Sequence, residues 1–92
     1  MSSIEFNKTF TMPREKLRVE LDDLTQQLGQ ELQLNCEWLS EDCLRFWRNG
    51  AKGQINIREE EVSLSITLGV LMEYFRKDIE RELQDFIDKH IY

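Results

Sequence analysis

The side chains best suited to chemistry in this sequence are two cysteines and a single histidine. Cys36 and Cys43 flank a predicted hairpin turn, and His90 lies near the end of the sequence. A zinc site needs closely spaced ligands, and nucleophilic catalysis needs a thiol or hydroxyl beside an oriented base. His90 falls in the last turn of a predicted helix, where its charged form interacts favourably with the helix dipole. We therefore expect no metal, no cofactor and no catalytic residues.

Carboxylates are plentiful, but they occur in runs such as Asp22-Asp23 and Glu59-Glu60-Glu61. Acid–base catalysis needs a carboxylate in a dry cleft with a shifted pKa, whereas runs in turns and on helix faces are usually hydrated. The stretch Gly50–Gly53 is too short for a phosphate-binding loop and precedes a strand, so it indicates a turn. These patterns predict a protein that is not an enzyme.

Length and charge narrow the class of protein further. The 92 residues, 40% apolar and 33% charged, predict one globular domain, residues 1–92. The net charge of −6 argues against nucleic-acid binding, which depends on a basic surface. No apolar run is long enough for a transmembrane segment, and the first ten residues lack the regions of a secretion signal. We expect a cytoplasmic protein with free thiols.

Hydrophobic periodicity predicts a strand over residues 4–10, a helix from Pro13 to about Leu32 and another from Val70 to about Ile91. The first helix carries a leucine stripe at a spacing of three and four residues. The predicted inward side of the second helix consists of Leu71, Phe75, Ile79, Leu83, Phe86 and His90.

Between the two helices, Leu34–Gly69 predicts four short strands joined by tight turns. The element order is β-α-β-β-β-β-α, which predicts an α+β fold with both helices on one face of an antiparallel sheet. A three-residue loop at Ser40–Asp42 would place Trp38 opposite Leu44 and Cys36 opposite Phe46. Cys36 would then be a small core residue, and Cys43 would lie on the other face, opposite Leu39.

That outer face of the first hairpin is the predicted interaction surface. It carries Leu39, Cys43 and Trp47, with Arg45 nearby. An exposed tryptophan among apolar neighbours often marks a contact surface. The alternative is that a chain end or the start of the first strand covers it.

The same stretch resembles the polyhydroxyalkanoic acid system family. The resemblance rests on Trp38, a short acidic turn, the strand Asp42–Phe46, the turn Arg48–Gly53 with Ile55, and the closing Leu68-Gly69. It implies a small bacterial cytoplasmic protein encoded with polyhydroxyalkanoate genes, and it implies no catalytic residues. The sequence departs from the family pattern near Lys8-Thr9, where a histidine is expected at the end of the first strand.

The resemblance favours an accessory protein that binds a polyhydroxyalkanoate granule or a granule protein. The alternative is a module that binds small acyl or hydroxyacyl ligands between the sheet and the last helix. That pocket would be lined by Trp38, Phe46, Leu64, Phe75 and Ile79. The same side chains could instead fill the core of so short a chain. A homodimer through the open sheet face or an edge strand is a third hypothesis.

Overall fold

A computed structural model describes residues 2–92 as five strands, two α-helices and one short 3-10 segment. The strands are β1 (Ser2–Thr9), β2 (Asn35–Ser40), β3 (Cys43–Arg48), β4 (Ala51–Ile57) and β5 (Glu61–Leu68). The helices are α1 (Arg14–Leu32) and α2 (Arg76–His90), and the 3-10 segment is Val70–Phe75. The predicted α+β class and element order are confirmed. Neither of these helices has the length and apolar character needed to cross a lipid bilayer.

The five strands form one antiparallel sheet in the spatial order β1-β5-β4-β3-β2. Strands β2 to β5 are a meander, because each pairs with the next after a short turn. Strand β1 adds to the free edge of β5, so β1 and β2 occupy opposite edges of the sheet. The chain must therefore pass from one edge to the other between β1 and β2, and α1 makes that crossing over one face.

Both helices cover the same face of the sheet, as predicted. On β5 the residues from Val62 to Leu68 alternate between buried side chains and partly or fully exposed ones. The buried parity faces the helices, because a strand presents successive side chains to opposite sides. The core that they enclose includes Leu17, Leu21, Leu24 and Leu28 of α1, Ile79, Leu83 and Ile87 of α2, and Ile55, Val62, Leu64, Ile66 and Leu68 of the sheet. The opposite face carries exposed polar residues such as Glu5, Lys52 and Gln54.

The register of the first hairpin is confirmed, with Trp38 paired to Leu44 and Cys36 paired to Phe46. The predicted loop is wrong in detail. Cys43 pairs with Ser40, and the register shifts between Trp38 and Ser40, so Leu39 lies at a bulge. A bulge adds one residue to one strand and shortens the turn to Glu41-Asp42. Leu39 therefore does not lie directly opposite Cys43.

The predicted turn at Gly50–Gly53 is also shorter than expected, because β4 begins at Ala51. Gly50 has a φ of 90°, a left-handed conformation that glycine adopts at little cost. Gly53 lies inside β4, paired with Phe46. A Cβ at this position would lie 2.4 Å from two atoms of the Phe46 ring and 2.7 Å from the carbonyl oxygen of Ser65. Gly53 is therefore required by close packing against that ring.

The last helix differs most from its prediction. A continuous helix from Val70 would have turned Leu71 and Phe75 toward the core. Instead Val70–Phe75 is a 3-10 segment whose buried residue is Met72, and α2 begins only at Arg76. The predicted inward side chains Leu71 and Phe75 are exposed, whereas Ile79 and Leu83 are buried as predicted. The change of helix type breaks the 3.6-residue period on which the prediction depended.

Long-range hydrogen bonds tie the chain connections to one another. Arg48 donates from Nη1 to the carbonyl oxygen of Leu32, which satisfies a free acceptor at the end of α1. At the other end of the sheet, Arg14 bonds the side chain of Asp42 and the carbonyl oxygen of Arg58, joining two strand turns to the start of α1. The backbone N–H groups of Thr11 and Met12 both donate to the carbonyl oxygen of Tyr92.

The contact between Gly53 and Phe46 gives a stability prediction. Gly53→Ala should lower the free energy of unfolding by about 1–3 kcal/mol, because the added methyl group overpacks the ring. Urea denaturation followed by circular dichroism measures this loss. Ser65→Ala, at an exposed position of the neighbouring strand, is the control and should change stability by less than about 0.5 kcal/mol. An unchanged urea midpoint for Gly53→Ala would contradict the packing argument.

Candidate interaction surfaces

Trp47 lies on the open face of the sheet, as predicted, where its backbone pairs with Asn35 on β2 and Lys52 on β4. Its side chain is half-buried, and the guanidinium carbon of Arg45 sits 4.7 Å from the centre of its ring. A cation over a tryptophan face is a favourable contact, worth about 0.5–1 kcal/mol at an exposed site. Arg45 also lies 3.3 Å from a carboxylate oxygen of Glu37. The apolar ring is therefore partly covered by a charged side chain.

Leu39 and Cys43, the other predicted members of this surface, lie toward the opposite end of the hairpin. Leu39 is 50% exposed at its bulge. Cys43 is half-buried and its sulfur accepts a hydrogen bond from Nε2 of Gln54 at 3.2 Å. Four residues along a strand cover about 13 Å, so Trp47 is remote from Cys43 and Leu39. The structure therefore does not bring Leu39 and Trp47 into one apolar patch.

A depression of about 560 Å³ lies on the open face beside Trp47. Two cations, Arg45 and Lys52, stand at its border, and Ser65 and Thr67 contribute hydroxyl groups. Its lining is mixed in character, with one aromatic ring among polar and charged groups. The two cations and the hydroxyl groups of such a surface could hold a small anionic molecule.

The five residues of the predicted ligand pocket are dispersed in the structure. Phe46, Leu64 and Ile79 are buried in the core, whereas Phe75 is 44% exposed on the 3-10 segment. Trp38 packs under α1, where its indole N–H donates to Asp22 and the guanidinium carbon of Arg18 lies 4.6 Å from its ring centre. The space between the sheet and the helices that includes Leu64 has a volume of only about 10 Å³, enough for about one water molecule.

The predicted chemical side chains are also well separated. Cys36, expected in the core, is exposed on the edge strand β2, because no further strand covers that edge. Burial of its sulfur against α1 still raises the pKa of the Cys36 thiol; a hydrogen bond toward Thr25 lowers the pKa and the nearby Asp22 raises it. A raised pKa keeps the thiol protonated and unreactive at neutral pH. Cys43 lies on the other face, as predicted, and both thiols are free.

His90 ends α2 and stacks on Phe86, with 4.3 Å between the ring centres. Its Nδ1 lies 3.1 Å from a carboxylate oxygen of Glu20, so the imidazole joins α2 to α1. Within residues 2–92, no three His, Cys, Asp or Glu side chains are grouped closely enough to hold a metal ion.

A group of exposed apolar residues on the 3-10 segment was not predicted. Val70, Leu71 and Tyr74 of the 3-10 segment are 79%, 76% and 90% exposed. A signal for it was present, because Val70–Phe75 has five apolar or aromatic residues among six, VLMEYF. A helix of this composition is apolar on all sides, so packing one side on the core leaves other apolar residues in solvent. The prediction extended the apolar stripe of α2 back to Val70 as one continuous helix. It therefore did not register that Val70–Phe75 has more apolar residues than one side of a helix can bury.

The sequence was compared with models of known protein families. The model of the family described as "Putative polyhydroxyalkanoic acid system protein" matches residues 4–91. The match covers both helices from end to end and nearly all of the sheet. No curated protein and no solved structure matches the chain.

The groove between α1 and α2 gives a pH prediction. A hydrogen bond with Glu31, followed by desolvation and the negative charges of Glu31 and Asp78, raises the pKa of Glu82; the positive charge of Arg81 opposes this rise. A carboxyl group whose pKa rises on folding stabilises the fold at low pH, and that contribution is lost as the pH rises through its folded pKa. Glu82→Gln should therefore raise the free energy of unfolding at pH 7 by roughly 0.5 kcal/mol, and by less near pH 4.

Thermal unfolding at the two pH values measures the difference. Glu5→Gln removes the same charge from an exposed position on β1 and is the matched control. A gain for Glu82→Gln that is equal at both pH values would contradict a raised pKa of Glu82 in the folded protein.

Proposed function

The chain belongs to the polyhydroxyalkanoic acid system protein family, and we propose that it is a small bacterial cytoplasmic accessory protein that attaches to the storage granule or to a granule protein. Polyhydroxyalkanoates are aliphatic polyesters, so a granule presents an apolar surface to water. A protein that works at such a surface needs exposed apolar side chains that its own fold does not bury. The proposal rests on finding such side chains in this family member.

The observation that carries the proposal is the exposure of large apolar residues beside a well-filled core. Leu71 and Tyr74 are 76% and 90% exposed, although the two helices bury most of the apolar face of the sheet. Single exposed apolar residues are common, but several on one short segment usually mark a contact surface. Retaining them costs solubility, which favours a function in contact with an apolar partner.

We propose that the protein acts by binding rather than by catalysis. His90 is engaged with Glu20 on one side and stacked on Phe86 on the other. The two cysteines lie on opposite faces of the sheet, as the pairings of Cys36 and Cys43 require. These placements support a binding role, because a nucleophile and its base must lie within hydrogen-bond reach of each other.

Co-sedimentation with purified polyhydroxyalkanoate granules tests the function. The wild type should be recovered with the granules, and Trp47→Ser should reduce the recovered fraction about threefold to tenfold, since a half-buried ring contributes part of its apolar area. Circular dichroism of the variant controls for folding. Equal recovery of both proteins would remove Trp47 from the contact surface, and recovery of neither would contradict granule binding.

A second candidate function is binding of a small hydroxyacyl or acyl ligand. The observation that favours it is the depression on the open face, where Lys52 and Arg45 border the ring of Trp47. The two cations could hold a carboxylate, and the ring could hold a short aliphatic chain. This location replaces the predicted pocket between sheet and helix.

Titration of labelled protein with 3-hydroxybutyrate, followed by nuclear magnetic resonance, tests this candidate. Shifts should concentrate at the Trp47 indole and at Thr67, and Lys52→Ala should weaken binding about tenfold through loss of a charge-assisted hydrogen bond. Lys77→Ala removes an exposed lysine of α2 and is the control. Shifts spread over core residues, or none at millimolar ligand, would contradict the site.

A further inference from the structure

The 3-10 segment presents its apolar side chains in a defined arrangement. A 3-10 helix has three residues per turn, so residues three apart stand one above the other. Leu71 and Tyr74 therefore form one outward row, and Met72 faces the core, while Phe75 at the end of the segment is 44% exposed. This agrees with their exposure, because Met72 is buried while Leu71 and Tyr74 are in solvent. The outward row therefore follows from the three-residue turn of the 3-10 helix.

The β3–β4 turn extends this surface. A Cβ placed on Gly50 would lie 3.8 Å from Cβ of Leu71 and 3.2 Å from Cγ of Met72, so the turn packs directly beside the 3-10 segment. A second depression, of about 360 Å³, is lined by Trp47, Gly50 and Gly69 and joins the open face of the sheet to the start of that segment. We call the side chains of Trp47, Val70, Leu71 and Tyr74 the apolar tip.

Charge is distributed unequally between the two ends of the sheet. The apolar tip lies at one end, where the cations include Arg45, Lys52, Arg76 and Lys77. The acidic residues near it include Glu73, Asp78 and Glu37, and Glu37 is paired with Arg45. The turns at the other end carry Glu41, Asp42, Glu59, Glu60 and Glu61. An apolar surface in water therefore favours the first end, because approach of the second would desolvate several carboxylates. Lysine and arginine stems at the tip can extend toward water while their methylene groups remain in apolar contact.

We infer that the apolar tip seats directly on the polyester surface of the granule, with the acidic end of the sheet directed into water. This inference rests on the proposed function. It states that the apolar tip contacts the polymer itself rather than a granule protein. The shape of the tip supports that occupant. Val70, Leu71 and Tyr74 are each more than three-quarters exposed, which suits a soft, extended apolar surface better than the concave pocket of a folded partner.

The test compares native granules with protein-free particles of amorphous poly(3-hydroxybutyrate). The proteins are the wild type, Leu71→Ser, Tyr74→Ser and two matched controls. Leu39→Ser removes an exposed apolar side chain at the acidic end of the sheet, and Val19→Ser removes one from the outer side of α1. Because all four positions are exposed, none of the substitutions should impair folding, and thermal unfolding verifies this.

We expect the wild type to bind both kinds of particle. Leu71→Ser and Tyr74→Ser should each weaken binding to both by about tenfold, whereas the two controls should bind like the wild type. Binding to protein-free particles that these tip substitutions leave unchanged would overturn the inference and leave the proposed function intact. Binding to native granules alone would mean that the tip contacts a granule protein, and it would also overturn the inference. Failure to bind either particle would overturn both proposals.

A second copy of the chain is the remaining occupant, and light scattering distinguishes it. A monomeric wild type is the expected result. A wild-type dimer that Tyr74→Ser converts to a monomer would show that the tip is covered by another copy, which would overturn the inference.

Discussion

The contact between the ring of Phe46 and the backbone of Gly53 sets the geometry of the whole sheet. These residues are directly paired on neighbouring strands, and the ring occupies the space that any other residue at position 53 would need for its Cβ. A shift of the pairing by one residue would place a side chain under the ring and turn the apolar face of β3 to solvent. The contact therefore fixes which side chains of β3 face the helices, and Trp47 and Arg45 must take the open face. It also fixes where the β3–β4 turn lies, and the 3-10 segment packs against that turn.

Much of this fold could be predicted from the sequence, because its periodic segments are strong. Only one orientation of β5 buries the apolar residues that alternate from Val62 to Leu68. The same holds for α1 and its leucine stripe. The pairing of Trp38 with Leu44 also follows from parity alone. Three local features escaped prediction: the bulge at Leu39, the extension of β4 back to Ala51 and the 3-10 segment. Each depends on a tertiary contact or a one-residue change of register, which composition and period do not encode.

The candidate site was also predicted only in part, because composition and period do not encode tertiary contacts. Trp47 and Arg45 were placed on the open face correctly, but their contact with each other reduces the apolar area that the tryptophan presents. The exposed row of Leu71 and Tyr74 was missed because a continuous α-helix was extended through it. With 3.6 residues per turn, Leu71, Phe75 and Ile79 share a side, whereas with three residues per turn Leu71 aligns with Tyr74 instead. A change of helix type thus transfers an apolar residue from the predicted core to the surface.

The exposed row also raises the question of why the chain does not bury it. The inward side of the 3-10 segment is already occupied by Met72, which packs on the core near Gly50. Turning Leu71 inward would displace Met72, because a tight helix brings only one row of side chains to the core. The two ends of the sheet therefore differ in polarity and charge. One end is apolar with nearby cations, and the other carries turns rich in carboxylates. This difference would give the molecule a preferred orientation at a boundary between water and an apolar phase. The packing of its own core does not require these exposed residues to be apolar, and this is the physical reason for proposing that they contact an apolar surface.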